Sequence, residues 1–142
     1  MLGVDSGGSG VRVALVRADG SEASAPAVAD RPAVIGERGV DATSLLDLVL
    51  PLAEGLMRAA GARRIAAACV GAAGMASLGD DLRARLPPAL RDALGVCELA
   101  LAGDAVTAYA GALGLRAGVV VAAGTGMIAL GTAADGTGWR RA

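Results

Sequence analysis

Apolar and polar residues alternate over Val11–Arg17, with Val11, Val13 and Leu15 on one side, and this period of two predicts a β-strand. The apolar run Leu2–Asp5 predicts a buried strand before it, with Ser6–Gly10 as the intervening turn. Asp19-Gly20 suits the positive φ angles of a tight reversal and predicts a hairpin into a weaker strand over Glu22–Val28. Asp30–Val40 contains Pro32, Gly36 and Gly39 without periodicity and reads as a loop. Further on, the period becomes helical. Ser44-x-x-Asp47 resembles a capping box, and Leu45, Leu46, Val49, Leu52, Leu56 and Met57 mark one face of a helix ending near Gly61. Pro51 is expected to kink that helix, because it removes a hydrogen bond and clashes one turn back. The remaining pattern predicts a strand over Ile65–Val70, a flexible turn at Gly71–Gly74, and a helix over Asp80–Leu94 interrupted at Pro87-Pro88. It ends with a strand over Val96–Leu101, a short helix over Asp104–Leu113, and a hairpin of Gly118–Ala123 with Met127–Thr132.

Three antiparallel strands followed by helix, strand, helix, strand, helix and a fresh hairpin define an α/β chain. The order resembles a ribonuclease-H-like lobe, in which an antiparallel sheet continues into parallel crossover strands. A boundary is expected near Arg116, giving a lobe over residues 1–116 and the first hairpin of a truncated second lobe over 117–142. The two parts share a pattern. Gly8-Ser9-Gly10 enters an apolar strand that reaches Asp19-Gly20, and Gly124-Thr125-Gly126 enters another that reaches Asp135-Gly136, each member 116 positions after its counterpart. Such a repeat suggests related lobes, each offering backbone N–H groups to one anion held between them.

Composition narrows the chemistry. The 142 residues suffice for one compact core. A net charge of −1 argues against a nucleic-acid footprint or a polybasic membrane patch, so small-molecule partners are expected. All 13 basic residues are arginine and histidine is absent, which removes Ser-His and Cys-His pairs, a Walker lysine and Schiff-base chemistry. Carboxylates remain as general bases. Cys69 and Cys97 lie in apolar, strand-like runs without metal or disulfide spacing and are expected to be buried free thiols. No basic leader with an apolar core opens the sequence, and its apolar runs fall short of the roughly 18 residues of a membrane span. A cytoplasmic location is expected, and a homodimer stays open.

Glycines serve any tight turn, so one Gly-rich turn is weak evidence of a ligand. Here, Gly10 enters a strand, where a dinucleotide fold would open a helix, and the P-loop lysine is missing. A hairpin whose turn amides and Ser9 hydroxyl face a phosphate fits, with Gly7, Gly8, Ser9 and Gly10 on one side and Gly124, Thr125 and Gly126 on the other. Asp5 ends the first strand where phosphates and Mg²⁺ would sit; its plain alternative is an Asx turn. Asp104 follows a strand and starts a helix, which by itself predicts an N-cap. The same place opens onto the cleft of an α/β sheet, so Asp104 is the candidate to take a proton from an attacking hydroxyl. Tyr109 is expected to pack on the sheet, and Trp139, Arg140 and Arg141 to form a frayed terminus.

The segments GVDSGGSGVRVALVRADG, GDAVTAYAGAL and AAGTGMIALGTAADG resemble the sugar-kinase, Hsp70 and actin superfamily, in its N-acetylglucosamine-kinase-like BadF/BadG/BcrA/BcrD-type ATPase branch. The resemblance implies that Asp5 helps hold Mg²⁺, that Ser9 and Thr125 contact ATP phosphates from opposite lobes, and that Asp104 is the base toward a sugar hydroxyl. The sequence departs from the family at Gly10 and Val11, where Lys-Thr often follows Gly-Gly-Thr, and in Asp30–Val40, which lacks the asparagine usual in the substrate loop. Family members are about twice as long, a two-lobed size, so the chain is expected to be an N-terminal piece that is inactive alone. Two other readings stand beside the kinase: an ATPase activating a radical dehydratase or reductase, and a non-enzymatic remnant or binding module.

Overall fold

The computed structural model describes residues 1–37, 39–124, 126–135 and 139–141. Strand β1 (Leu2–Gly7) turns through Gly8-Ser9 into β2 (Gly10–Leu15), with Gly7 opposite Gly10. The Asp-Gly reversal forms as expected, with Gly20 at φ 85°, and leads into β3 (Ala27–Ala29), shorter than the pattern predicts. The Asp19 carboxylate accepts hydrogen bonds from the Ser21 hydroxyl and amide, which hold its pKa below the usual aspartate value.

The predicted loop over Asp30–Val40 contains a small hairpin, β4 (Ile35–Gly36) with β5 (Gly39–Val40). Helix α1 (Ala42–Ala60) begins earlier than the Ser44 box implies. Its N-cap is Asp41, whose Oδ1 accepts from the Ser44 amide at 2.7 Å. The Ser44 hydroxyl instead accepts from the Val34 amide at 2.9 Å, tying the small hairpin to the helix. Gly61 closes α1 in the left-handed conformation, as expected.

The interruption expected at Pro87-Pro88 does not occur. Helix α1 runs unbroken through Pro51, and α3 (Asp80–Leu94) runs through Pro87-Pro88. The carbonyls that lose their partners belong to Asp47, Arg83 and Ala84, all exposed residues, so water can satisfy them. The buried faces lie on the other side: Leu45, Leu48, Val49, Ala53 and Leu56 in α1, and Leu82, Leu86, Leu90 and Leu94 in α3.

Strand β6 (Ala67–Ala72), a one-turn helix α2 (Met75–Leu78), α3, β7 (Glu98–Gly103) and α4 (Asp104–Leu113) complete the first sheet and its helices. The strand order is β3-β2-β1-β6-β7, antiparallel from β3 to β1 and parallel from β1 to β7. Leu2, Val4, Val11, Val13, Leu15, Ala68 and Val70 form the face that joins the core of α1 and α3. Helix α4 lies on the opposite face. A second sheet, ordered β10-β9-β8, is built from β8 (Gly118–Ala123), β9 (Met127–Thr132) and β10 (Trp139–Arg141). The paired backbone of β10 replaces the frayed terminus expected there. The fold is thus α/β, a ribonuclease-H-like antiparallel-then-parallel sheet with a further hairpin sheet. Among the described residues no helix is long and apolar enough to cross a membrane.

Both cysteines are free, and both are exposed, against expectation. Cys69 pairs with Gly3 and Ala100 on the face that carries α4, beyond the stretch covered by that helix, and Cys97 precedes β7. A strand position buries a side chain only where another layer covers that face.

Candidate functional site

Parallel pairing sets three strand ends side by side. Ser6 on β1 is level with Ala72 on β6, and Ala72 is level with Gly103 on β7. The Gly7–Gly10 turn, the turn at Ala73-Gly74 and Asp104 therefore share the carboxyl edge of one sheet, the location where α/β folds hold ligands; Gly71 and Ala72, expected in that turn, are paired in β6. The Ala73 amide donates to the Ser6 carbonyl at 3.3 Å and ties the first two turns together.

Asp5 occupies the α4 face of β1, opposite Arg12 and Gly71. Its carboxylate is half exposed and stands 3.8 Å from the Arg12 guanidinium. A solvated pair at that distance contributes little and yields readily to a ligand. Gly8 and Ser9 are exposed at the tip, and a Cβ on Gly7 would meet nothing within 4 Å. Gly10 is different: a Cβ there would stand 2.5 Å from the Ala29 carbonyl oxygen, so packing against the end of β3 requires that glycine.

Asp104 is the first residue of α4, and Gly103 is its N-cap, one position before the cap expected from sequence. The Asp104 carboxylate is half-buried and accepts from the Ala105 amide at 2.8 Å through Oδ1. Thr107 Oγ1 donates to the Asp104 carbonyl at 3.0 Å and leans on Gly71, where a Cβ would overlap the threonine side chain. Gly71 thereby seats the start of α4 on the same face as Asp5.

Thr125 lies outside the described residues. Its neighbours Gly124 and Gly126 are exposed, and a Cβ on either would meet nothing within 4 Å. The Gly124 amide donates to the Gly126 carbonyl at 2.8 Å, so this N–H closes its own loop and is not offered outward. The turn Gly114–Ala117 reverses the chain from α4 into β8, and Leu113 abuts Gly118. The hairpin consequently runs back along α4, directing the Gly124–Gly126 loop toward the helix end that carries Asp104.

A cavity of about 380 Å³ lies elsewhere, between the small hairpin and the starts of α1 and α3, and includes none of these residues. Two of its three carboxylates, Asp41 and Asp81, already serve the fold: Asp41 caps α1, and Asp81 Oδ2 accepts from the Ala42 amide at 2.9 Å, while Glu37 is exposed. Among the described residues no cluster of three His, Cys, Asp or Glu side chains could hold a metal. Sequence reasoning missed Thr107 and the need for Gly71. Only the small residue at a strand end hinted at close packing there.

Two glycine turns and a carboxylate starting a helix thus sit together at the carboxyl edge of an α/β sheet. Comparison with solved structures agrees with that α/β class. The chain is similar to a "Putative N-acetylglucosamine Kinase" from Chromobacterium violaceum, with 29% identity and TM-score 0.74 over 99% of this chain and 47% of that one. It also shares the fold of a "Putative N-acetylglucosamine Kinase" from Porphyromonas gingivalis at 20% identity, with TM-score 0.70 over 99% of this chain and 46% of that one. No protein-family model and no curated protein matches the sequence. The resemblance to N-acetylglucosamine-kinase-like proteins is therefore borne out by the structural neighbours, and the chain spans about half their length.

Proposed function

We propose that a protein containing this chain transfers a phosphoryl group from ATP to a hydroxyl of a sugar or amino sugar. The observation that carries the reading is the shared sheet edge: strand register sets Asp5, the Gly7–Gly10 turn and Asp104 beside one another in a kinase-like fold. Residues 1–116 form the first lobe and 117–142 the opening hairpin of the second. Gly7, Gly8, Ser9 and Gly10 approach the phosphates from the first lobe, and Thr125 and Gly126 from the second, with Gly124 shaping that loop through its own N–H bond to the Gly126 carbonyl.

Asp104 accepts the proton of the acceptor hydroxyl as the new O–P bond forms and the bond to the leaving ADP breaks. A half-buried carboxylate with one backbone amide on Oδ1 is held in orientation and leaves Oδ2 for the substrate. Asp5 fits a Mg²⁺ role, because this ion takes one or two carboxylates and completes its shell with water and phosphate oxygens, and the Asp5 carboxylate is half exposed. When bound, Mg²⁺ neutralises phosphate charge. The 142-residue chain alone is catalytically inactive, since one lobe with a short hairpin supplies half of a clamp.

The test is Asp104→Asn in a complete protein containing this chain, assayed with ATP and amino sugars. Loss of a positioned base lowers kcat by roughly 10²- to 10⁴-fold, with a smaller change in the KM for sugar. Unaltered turnover in that variant removes Asp104 from the reaction.

A further inference from the structure

We infer that the Tyr109 hydroxyl is a positioning group that pins the second sheet to α4 and sets the angle at which the Gly124–Gly126 loop stands relative to Asp104. What that angle serves rests on the phosphoryl-transfer reading; the pin itself rests on geometry.

Helix α4 is otherwise built of small and medium side chains, and Tyr109 is only 2% exposed. A buried phenol requires hydrogen-bond partners, and this one has Arg116 and Thr132. A carbonyl can only accept, so the phenolic proton goes to the Arg116 carbonyl and the Thr132 hydroxyl donates to the phenolic oxygen. One oxygen thus joins the middle of α4, the turn leading to β8, and the end of β9. Among the described residues the apolar packing around it is a small cluster: Ala105 and Leu130 are buried with Tyr109, and Leu113, Val120 and Ile128 are half-buried around them.

Thr132 and Gly126 lie at opposite ends of β9. Six residues at about 3.3 Å each make a lever of about 20 Å, so a ten-degree rotation about the pin moves the loop by roughly 3 Å, a hydrogen-bond length. A cavity of about 220 Å³ lined by Tyr109, Gly114, Leu115, Ala117 and Thr132 leaves room for that rotation once the pin is lost.

Two measurements on the 142-residue chain test the pin. Trypsin must draw the backbone carbonyl of the exposed residue Arg116 into its own site, so the Tyr109 bond has to open first. Tyr109→Phe keeps the ring in the core and should accelerate cleavage after Arg116 about tenfold, while cleavage after Arg64 and Arg91 stays at the parent rate. Thr132→Val should accelerate it as well, and Thr132→Ser, which keeps a hydroxyl, should not. Equal rates for parent and Tyr109→Phe, equal rates for the serine and valine variants, or acceleration at every arginine would each overturn the inference. The angle is read with spin labels on Cys69 and on Met127→Cys in a Cys97→Ser background, both positions being exposed. The distance distribution should broaden in Tyr109→Phe; an unchanged distribution rejects a positioning role. Neither measurement contains nucleotide, so failure of the pin and failure of the phosphoryl-transfer reading are separate results.

Discussion

At Gly71 the strand β6 passes beneath Thr107, and any side chain at that position would have to push α4 away from the sheet. The position lies between Asp5 on β1 and Ala102 on β7, so α4 approaches the floor of the site through a single missing Cβ. Gly71→Ala is therefore expected to destabilise the chain by about 1–3 kcal/mol, the usual cost of overpacking, read as a lower urea midpoint at unchanged slope. Gly74→Ala makes a useful comparison, because that glycine has open space but a φ of 72° and should cost about 1 kcal/mol through backbone strain alone. Equal stability of Gly71→Ala and the parent would show that α4 does not rest on this residue. The places of Ser9 and Asp104 were legible in the sequence because each is defined by a local event, a turn or a helix starting, whereas Asp5 was read as the end of its strand and β1 in fact continues to Gly7, held by its pairing with Gly10. Gly71 against Thr107 and Tyr109 against Thr132 were not, because those partners meet only when distant segments pack.

Element order was legible for the same local reason, and its exceptions have specific causes. Ser44 has the chemistry of a cap, but Asp41 supplies an acceptor three residues earlier and the Ser44 hydroxyl serves Val34 instead. The short hairpin within Asp30–Val40 has too few residues to show a period. Pro87-Pro88 was over-read as an interruption of α3, because the cost falls on carbonyls at the solvent side while the opposite face packs into the core, and Pro51 is placed in the same way in α1. The core outweighs the local penalty without abolishing it. Pro51→Ala restores an amide donor at an exposed position of α1, so it should stabilise the chain by about 1–2 kcal/mol, after allowing for the entropy that proline removes from the unfolded state. A higher melting temperature by circular dichroism is the expected result. An unchanged or lower one would show that the helix bends at Pro51 in a way the packing requires.

Across the whole molecule the two sheets are finished to different degrees. The first has helices over one face and α4 over part of the other. The second rests on α4 through Val120, Ile128 and Leu130, while its outer face presents Val119, Val121 and Met127 to solvent, the last 79% exposed. Among the described residues β8 pairs only with β9, and its sequence from Gly118 to Ala123 has no charge and no proline. In the first sheet the corresponding strand, β1, is flanked on both sides, by β2 and by β6. An uncharged edge beside an apolar face lacks the features by which natural sheets avoid edge-to-edge pairing. The 142-residue chain should accordingly self-associate as its concentration rises, seen as a growing mass by light scattering. Val121→Lys places a charge on the outer face of that edge strand without touching the Tyr109 cluster, so it should return the chain to the mass of one copy with the circular dichroism spectrum intact. Association that persists in Val121→Lys would move the contact to another surface, with the exposed Cys69 face of the first sheet the next to test.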